Sequence, residues 1–507
     1  MTGEETESRS IRYDVGLVKR FVKGMPVLFA YIGVVVFLVI SLPREKLAVP
    51  LESFAALGII GLWRYLWLAT HVVRAHIFEH FVYPKYRFEA DDQAADVKYP
   101  KRCFFVIPTY GEVPEVSRRM LHSILDEVDT VPTVFHLVIN AGSEEEDDII
   151  RNALAEHRNA DRVEIQFIRQ EGGKRQGMSD VINQLMYQEH DFNDCVVLMD
   201  GDTLLGKGIM DKCMTLFTAR EKLGAVTTDN ISFTKGSWFY RKWYTLRFAM
   251  RHRMMKSQSL SRQIMVLTGR FSMFRAPWVF NDEFVAYLEN DRIGHWLHGD
   301  IKFVTGDDKS TWFCLLKRGA EMLYVPDAHI FCMEDSGKAA VLQSVQKMHR
   351  WFGNMLRNNG RAIKLGVGRQ KAFVWWCAID QRISIWTSLM GPVTAMWAAL
   401  LYGWEILIVY LILVILVRTL YLLLLLIEGH RLSMSDIPLL LYTQWGGSMV
   451  KSYTLYHLHR QKWSSHRSKD SGQAKEDFFQ AIVPKLQMGF SYLLLFIFVV
   501  FLVELTN

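Results

Sequence analysis

The chain has 507 residues, 59 Lys+Arg against 53 Asp+Glu, a formal net charge of +6, and 50% hydrophobic residues. The apolar residues gather in uncharged runs toward both ends while the middle carries mixed charge, which excludes a wholly soluble protein, a coiled coil and a disordered chain. The charge excess is too small and dispersed for a nucleic-acid partner, and the six cysteines (Cys103, Cys195, Cys213, Cys314, Cys332, Cys377) form no CxxC pair, so they read as isolated thiols in a reducing compartment.

Residues 25–42, MPVLFAYIGVVVFLVISL, carry no charge and are long enough to cross a hydrocarbon core of about 30 Å as a helix. Lys19, Arg20 and Lys23 precede them and predict a cytoplasmic amino terminus, and no cleavage site follows, so the segment reads as an anchor. A second apolar stretch, from about Phe54 to Val73, is interrupted by Arg64, which must pair within a bundle or line a polar path. Arg74, Lys85, Arg87 and Lys101 follow, as expected where the chain returns to the cytoplasm. Residues 1–95 therefore read as an amino-terminal region with two membrane helices.

From 96 to 340 short apolar strands alternate with amphipathic helices, predicting an α/β domain with a mostly parallel sheet and helices on both faces. Candidate strands begin at Cys103, Thr133, Val163, Cys195 and Ala225. Ligands of such sheets bind at the carboxyl ends of the strands. Residues 341–382 read as interfacial helices. In 383–507 the apolar signal returns: two spans separated by a tight turn near Glu405, an interfacial or re-entrant helix over 437–457, which carries Gln444, Ser448 and Lys451, and a last span over 486–503. A basic loop with Arg460, Lys462, Arg467 and Lys469 precedes that last span and belongs in the cytoplasm.

Four constellations carry chemistry. The strand CVVLMD runs into Asp200-Gly201-Asp202; two carboxylates at the end of a buried strand call for a cation, and Mg²⁺ or Mn²⁺ shared with a diphosphate would supply it, a surface turn being the alternative. Asp307-Asp308, after Gly306 and ahead of a helix, pairs a capping or binding carboxylate with a possible general base, a pair of helix caps being the alternative. Gly172-Gly173-Lys174-Arg175 has the flexible backbone, two cations and helix start of an anion site, without P-loop spacing. The fourth, QKMHRWFGNMLRNNGR from Gln346, is basic and aromatic and lies just ahead of the membrane region.

Taken in this order, with TGRFSMFRA from Thr268, TGDDKSTWF from Thr305, YVPDA from Tyr324 and DQRISIWTSLMG from Asp380, the chain resembles the membrane-embedded processive β-glycosyltransferases of glycosyltransferase family 2, the group of the cellulose, chitin and hyaluronan synthases. Within that group it is most similar to the alginate-polymerising mannuronan synthases. The resemblance covers nearly the whole chain and implies a GT-A-type catalytic domain on the cytoplasmic face of a bacterial inner membrane. By this likeness Asp200 and Asp202 match the metal and diphosphate motif, Asp308 the general base, and Lys174 and Arg175 the basic pair near the nucleotide. Gly269, Phe274 and Arg275 fall in the motif lining the acceptor end, and Arg350-Trp351 match the closing Arg-Trp.

The sequence departs from the family pattern at three places. Lys347 stands where Gln is expected three positions before Arg350, with Gln346 one residue further back; Asn140 replaces an Asp that contacts uridine; and the first strand ends in IPTYGEVPE. The resemblance implies GDP-mannuronate as donor, a growing polysaccharide as acceptor, and a separate subunit carrying a cyclic-di-GMP-binding module. A uronate carboxylate needs a cation, for which Arg270, Arg247 and Lys309 are candidates, with Asp307, Glu289 or Asp291 as their competing structural partners. Trp375, Trp376, Trp386 and Trp397 are available to stack on sugar rings or to serve as interfacial belt residues. A UDP-sugar polymerase, a transferase loading one sugar onto a lipid, and an export channel with a degenerate transferase domain are the competing readings.

Overall fold

In the computed structural model, which describes residues 3–42, 55–94, 97–336, 339–461 and 477–504, the chain enters through α1 (Gly3–Ser41) and α2 (Ala55–Ile77), then a π-helical turn and α3 (Tyr83–Asp91). The α/β region opens with β1 (Arg102–Thr109), α4 (Pro114–Glu127), β2 (Val134–Ala141) and α5 (Glu144–Ala155). Ser143 caps α5 by accepting the Glu146 N–H, and four acidic residues fill its first turn, where the helix dipole favours negative charge. Next come β3 (Val163–Arg169), α6 (Lys174–Met186), β4 (Cys195–Leu198), β5 (Thr203–Leu205), α7 (Ile209–Ala219), β6 (Leu223–Gly236) and α8 (Trp238–Ser259). The region closes with β7 (Ser272–Arg275), α9 (Ala276–Val279), α10 (Asp282–Glu289), β8 (Arg292–His295), β9 (Gly299–Lys302), α11 (Asp307–Lys317) and β10 (Glu321–Ser336).

Eight strands form one sheet in the order β3-β2-β1-β4-β7-β6-β10-β5. The five strands expected from sequence are present, and the pairs β2/β3, β1/β2, β1/β4 and β6/β10 are parallel. Three others are antiparallel because β7 inserts between β4 and β6, and β5 folds back along β10. Side chains alternate faces along the strands. Phe105, Ile107 and Val197 pack with Met120 and Leu121 of α4 and Met214 of α7, whereas Phe104, Val106 and Val196 pack with Val181 of α6 and Trp312 of α11. Helices therefore cover both faces, as the near-continuous apolar strands require.

Downstream lie α12 (Ala340–Leu365), α13 (Ala372–Tyr402), α14 (Glu405–Ile427), α15 (Asp436–Leu441), α16 (Gly447–Tyr456) and α17 (Phe478–Glu504). Among the described residues, four helices are long and apolar enough to cross a membrane: Lys19–Ser41 within α1, then α13, α14 and α17. The expected turn near Glu405 is Gly403-Trp404, with Gly403 at φ +109, a conformation that favours glycine. The second expected span forms α2 but is not among the four, since Arg64, His71, Arg74 and His76 interrupt it. Arg64 pairs with Asp380 of α13, the kind of partner its position demanded. Over 436–456 a π turn at Tyr442–Gly446 separates α15 from α16, and this stretch is likewise not among the four. Phe54 and the loop cations Lys462, Arg467 and Lys469 lie outside the described residues. All six cysteines are buried thiols.

Candidate active site

Register brings the acidic motifs to one edge. β1, β2 and β4 run parallel, so Thr109, Ala141 and the residues after Leu198 emerge together. β7 runs the other way, with Ser272 opposite Leu198, so the residues just before β7 meet those just after β4. A Cβ placed on Gly269 would lie 3.7 Å from Asp308 Cβ, 3.8 Å from Asp200 Oδ2 and 3.9 Å from Asp307 Oδ2. Residues separated by more than a hundred positions thus surround one glycine, in a small cleft that Lys174 and Phe274 also line.

Cations organise these carboxylates. Lys174, the first residue of α6, places Nζ 2.6 Å from Asp200 Oδ1 and 2.9 Å from Asp307 Oδ2. Burial alone would lower Lys174, but Asp200 and Asp307 outweigh it and raise its pKa above the ordinary value. Burial would raise Asp307, yet Lys174 holds it below the usual carboxylate range. Among the described residues Asp308 has no such ion pair: burial, then Asp307, pushes it up to about 6, against the pull of Lys309 and Lys174. Its Oδ1 accepts the Lys309 backbone N–H at 2.9 Å. The two adjacent carboxylates are therefore driven apart, one held ionised and one able to take up a proton near neutrality, which is the division of labour that acid–base chemistry needs.

Asp202 lies 3.3 Å from Arg270 Nη1, and Arg270 also pairs with Glu334, which pairs in turn with Lys347. Burial, partly opposed by Arg270, raises Asp202, while Arg270 and Lys347 overcome burial and bring Glu334 down to about 2. Lys347 thus fills the position of the expected Gln as part of a charge relay to Asp202, and Gln346 is turned outward and exposed. Trp351 stacks on Trp243, with centroids 5.9 Å apart and planes at 16°, and Arg350 lies half-buried beside it on α12.

The structure does not bring every expected residue to the cleft. Arg175 turns into the core and donates to the carbonyls of Leu288 and Tyr287 and to Ser310 Oγ, because its position on α6 faces α10 and α11 rather than the loop edge. Arg275 is fully buried at the far end of β7, clamping the carbonyls of Leu223, Phe217 and Arg220. Asn140 is fully buried, donating to Ile168 O while the backbone of Gly177 covers its carboxamide, so it is not open to a base. Arg270 is engaged by Asp202 and Glu334 rather than by the expected Asp307, Glu289 or Asp291, and Lys309 donates to Met265 O over the Trp312 ring. Trp375 donates to Ile363 O, and Trp386 and Trp397 pack on Tyr492 and Phe496 of α17.

Sequence reasoning missed two acidic residues. Glu334 sits inside β10 with no glycine or turn to mark it, and reaches the site because β10 pairs with β5, placing Cys332 opposite Thr203. Glu112, in the loop after β1, is pushed up to about 7 by burial and by Asp202 and Asp200. The unusual IPTYGEVPE ending was the available clue. That loop is tied to the next by Glu146, which accepts the N–H groups of Gly111 and of Gly142.

Geometry and sequence comparison agree on the class. The glycosyltransferase-like family 2 pattern matches residues 100–354, and the chain belongs to that family, with a GT-A-type sheet followed by helices apolar enough to cross a membrane. It is 34% identical over 444 residues to glycosyltransferase alg8 of Pseudomonas syringae pv. tomato, covering 87% of this chain and 90% of that one. Glycosyltransferase alg8 of Azotobacter vinelandii is 33% identical over 445 residues, covering 87% and 89%. The chain is a glycosyltransferase of the alginate-synthase type, as its sequence resemblance implied. A mannosyltransferase of Pyrobaculum calidifontis, solved with GDP-Man and Mn²⁺, is 14% identical with a TM-score of 0.42, covering 76% of this chain and 97% of that one, a likeness too slight to carry weight.

Proposed function

We propose that the chain is a processive, inverting β-glycosyltransferase that polymerises GDP-mannuronate into mannuronan, working on the cytoplasmic face of a bacterial inner membrane and passing its product outward. The observation that carries the reading is the ring of Asp200, Asp307 and Asp308 around Gly269. Asp308, its carboxyl pushed up to about 6 by burial and by Asp307, takes the proton of the acceptor hydroxyl. That oxygen attacks the anomeric carbon in line as the bond to the diphosphate breaks, so one displacement turns α into β and needs no covalent sugar-enzyme species. Lys174, held protonated by its two carboxylates, would meet the charge of the leaving diphosphate.

The residues fit a divalent cation of the kind that keeps open positions for phosphate. Asp200 and Asp202 each bring a carboxylate, held in this structure by Lys174 and Arg270, that a divalent cation could take over. Mg²⁺ or Mn²⁺ held there would neutralise the departing diphosphate. Sugar polymer and lipid are the implied neighbours, and the resemblance adds a separate cyclic-di-GMP-binding co-polymerase subunit.

A donor screen on membrane vesicles, with and without chelator, tests this. GDP-mannuronate should give polymer and GDP-mannose none. Polymer from a UDP-sugar alone would replace the donor assignment, and a single-sugar lipid product would replace polymerisation. Asp308→Asn should abolish turnover while retaining donor binding, and Asp202→Ala should lose metal-dependent donor binding as well.

A further inference from the structure

Four alternating charges run inward from α12 to the loop after β4. Lys347 pairs with Glu334 Oε2, Glu334 Oε1 pairs with Arg270 Nη2, and Arg270 Nη1 reaches Asp202. The outer three are well out of water, the side chains of Lys347 and Glu334 being 12% exposed and that of Arg270 14%. Ions in such a place are stable only where partners replace their hydration, so each member of the row depends on the next. Glu334 is fully engaged: besides the two cations it accepts the Tyr244 hydroxyl at 3.0 Å. Lys347 lies against the Tyr240 and Tyr244 rings, 5.7 and 5.3 Å from their centroids, and among the described residues Glu334 is the one carboxylate it pairs with.

The innermost link is the loose one. Arg270 Nη1 stands 3.3 Å from both oxygens of Asp202, beyond the about 2.7–2.9 Å of a charge-assisted hydrogen bond, whereas Lys174 Nζ holds Asp200 at 2.6 Å. A divalent cation held by Asp200 and Asp202 must take Asp202 from Arg270. Glu334 keeps that exchange from stranding a buried guanidinium, because Arg270 retains a carboxylate when it lets Asp202 go. Lys347 acts in the opposite sense. It draws on the same carboxylate, weakens the pull of Glu334 on Arg270, and so leaves more of Arg270 to Asp202. A neutral glutamine at this position would hydrogen-bond Glu334 without offsetting its charge.

Resting on the reading of Asp200 and Asp202 as the metal-holding pair, we propose that Lys347 is a positioning residue: through Glu334 it sets how strongly Arg270 competes with a divalent cation for Asp202. The competition matters in a polymerase because every addition leaves a nucleoside diphosphate in the cleft, and a cation bound too tightly would retain it. Arg270 closing on Asp202 frees the cation together with the diphosphate. The order of the charges fixes the sign. Removing Lys347 strengthens the hold of Glu334 on Arg270 and opens Asp202, whereas removing the Glu334 charge delivers Arg270 to Asp202.

The test uses the full chain in nanodiscs, with free Mn²⁺ read by electron paramagnetic resonance in the presence of GDP, and GDP release followed in the same preparations. Lys347→Gln should bind Mn²⁺ about tenfold tighter and release GDP more slowly, while Glu334→Gln should bind it about tenfold more weakly. A merely structural defect would weaken binding in both variants rather than move them in opposite directions. Lys347→Arg keeps the charge and should match the wild type. In an Arg270→Gln background the effect of Lys347→Gln should shrink to within about twofold, since the link to Asp202 is gone. Lys347→Met repeats the measurement if Lys347→Gln does not fold. Unchanged or weaker Mn²⁺ binding without the Lys347 charge, or the same tightening when Arg270 is also replaced, would overturn the proposal. A wild-type protein that binds no Mn²⁺ with GDP would instead refute the metal reading of Asp200 and Asp202, a result read separately from the ranking of the variants.

Discussion

Gly269→Ala separates the fold from the chemistry. The added methyl would meet no atom of those neighbours closer than 3.7 Å, an ordinary van der Waals contact, and Gly269 is not among the glycines with positive φ. Folding should therefore be unaffected or slightly improved, since alanine restricts the unfolded chain. The methyl nevertheless fills the space between Asp308, Asp200 and Asp307, where the reacting groups must approach to about 3–3.5 Å. A displacement of about 1 Å from such a geometry costs on the order of 10²-fold. The expected result is kcat/KM for GDP release down about 100-fold with a thermal midpoint within a few degrees of wild type. Gly306→Ala is the contrast: with φ +87 and a Cβ that would lie 2.6 Å from Asn354 Cγ, it should lower the midpoint outright. Near-normal turnover by Gly269→Ala would show that the space around this glycine is not where the sugar reacts.

The raised pKa of Asp308 gives a pH profile: with its carboxyl protonated below about 6 it cannot accept the acceptor proton, so activity should fall on the acid side and Lys174→Gln, removing a cation that lowers it, should move that limb to higher pH. Movement to lower pH would mean that another group sets the limb. Glu334→Gln leaves Arg270 and Lys347 without their shared anion and should cost about 3 kcal/mol in denaturant unfolding, with weaker Mn²⁺ dependence as Arg270 closes on Asp202. Asn140→Asp buries a carboxylate beneath α6 and should lower stability without converting the enzyme to a uridine donor; a gain of UDP-sugar turnover would return Asn140 to the base pocket.

Much of the frame was legible because its signals are local. Cys195–Leu198 reads as a strand from four consecutive apolar residues, and all four are buried. Asp200, Asp202, Asp307 and Asp308 stood out as acidic residues next to apolar segments, and a helix after Asp307-Asp308 and a turn near Glu405 followed from the same kind of reading. Where the expectations failed, the deciding variable was direction. Lys174 and Arg175 are neighbours in sequence, yet about 100° of helical rotation sends one into the cleft and the other into the core.

The class of sheet, the apolar helices around it and the acidic motifs are written in consecutive residues, since periodicity, charge and strand ends are local properties. The packing of the folded chain, by contrast, sets Gly269 among three carboxylates. It likewise linked Glu334 through Arg270 to Asp202 and set Arg247 and Lys451 against aromatic rings. The most distant of those pairings join segments more than a hundred positions apart, and they depend on strand order and register, in particular on β7 running against β4 and β5 against β10. No local pattern specifies such crossings, because the free energy that selects them is the packing of both sheet faces at once.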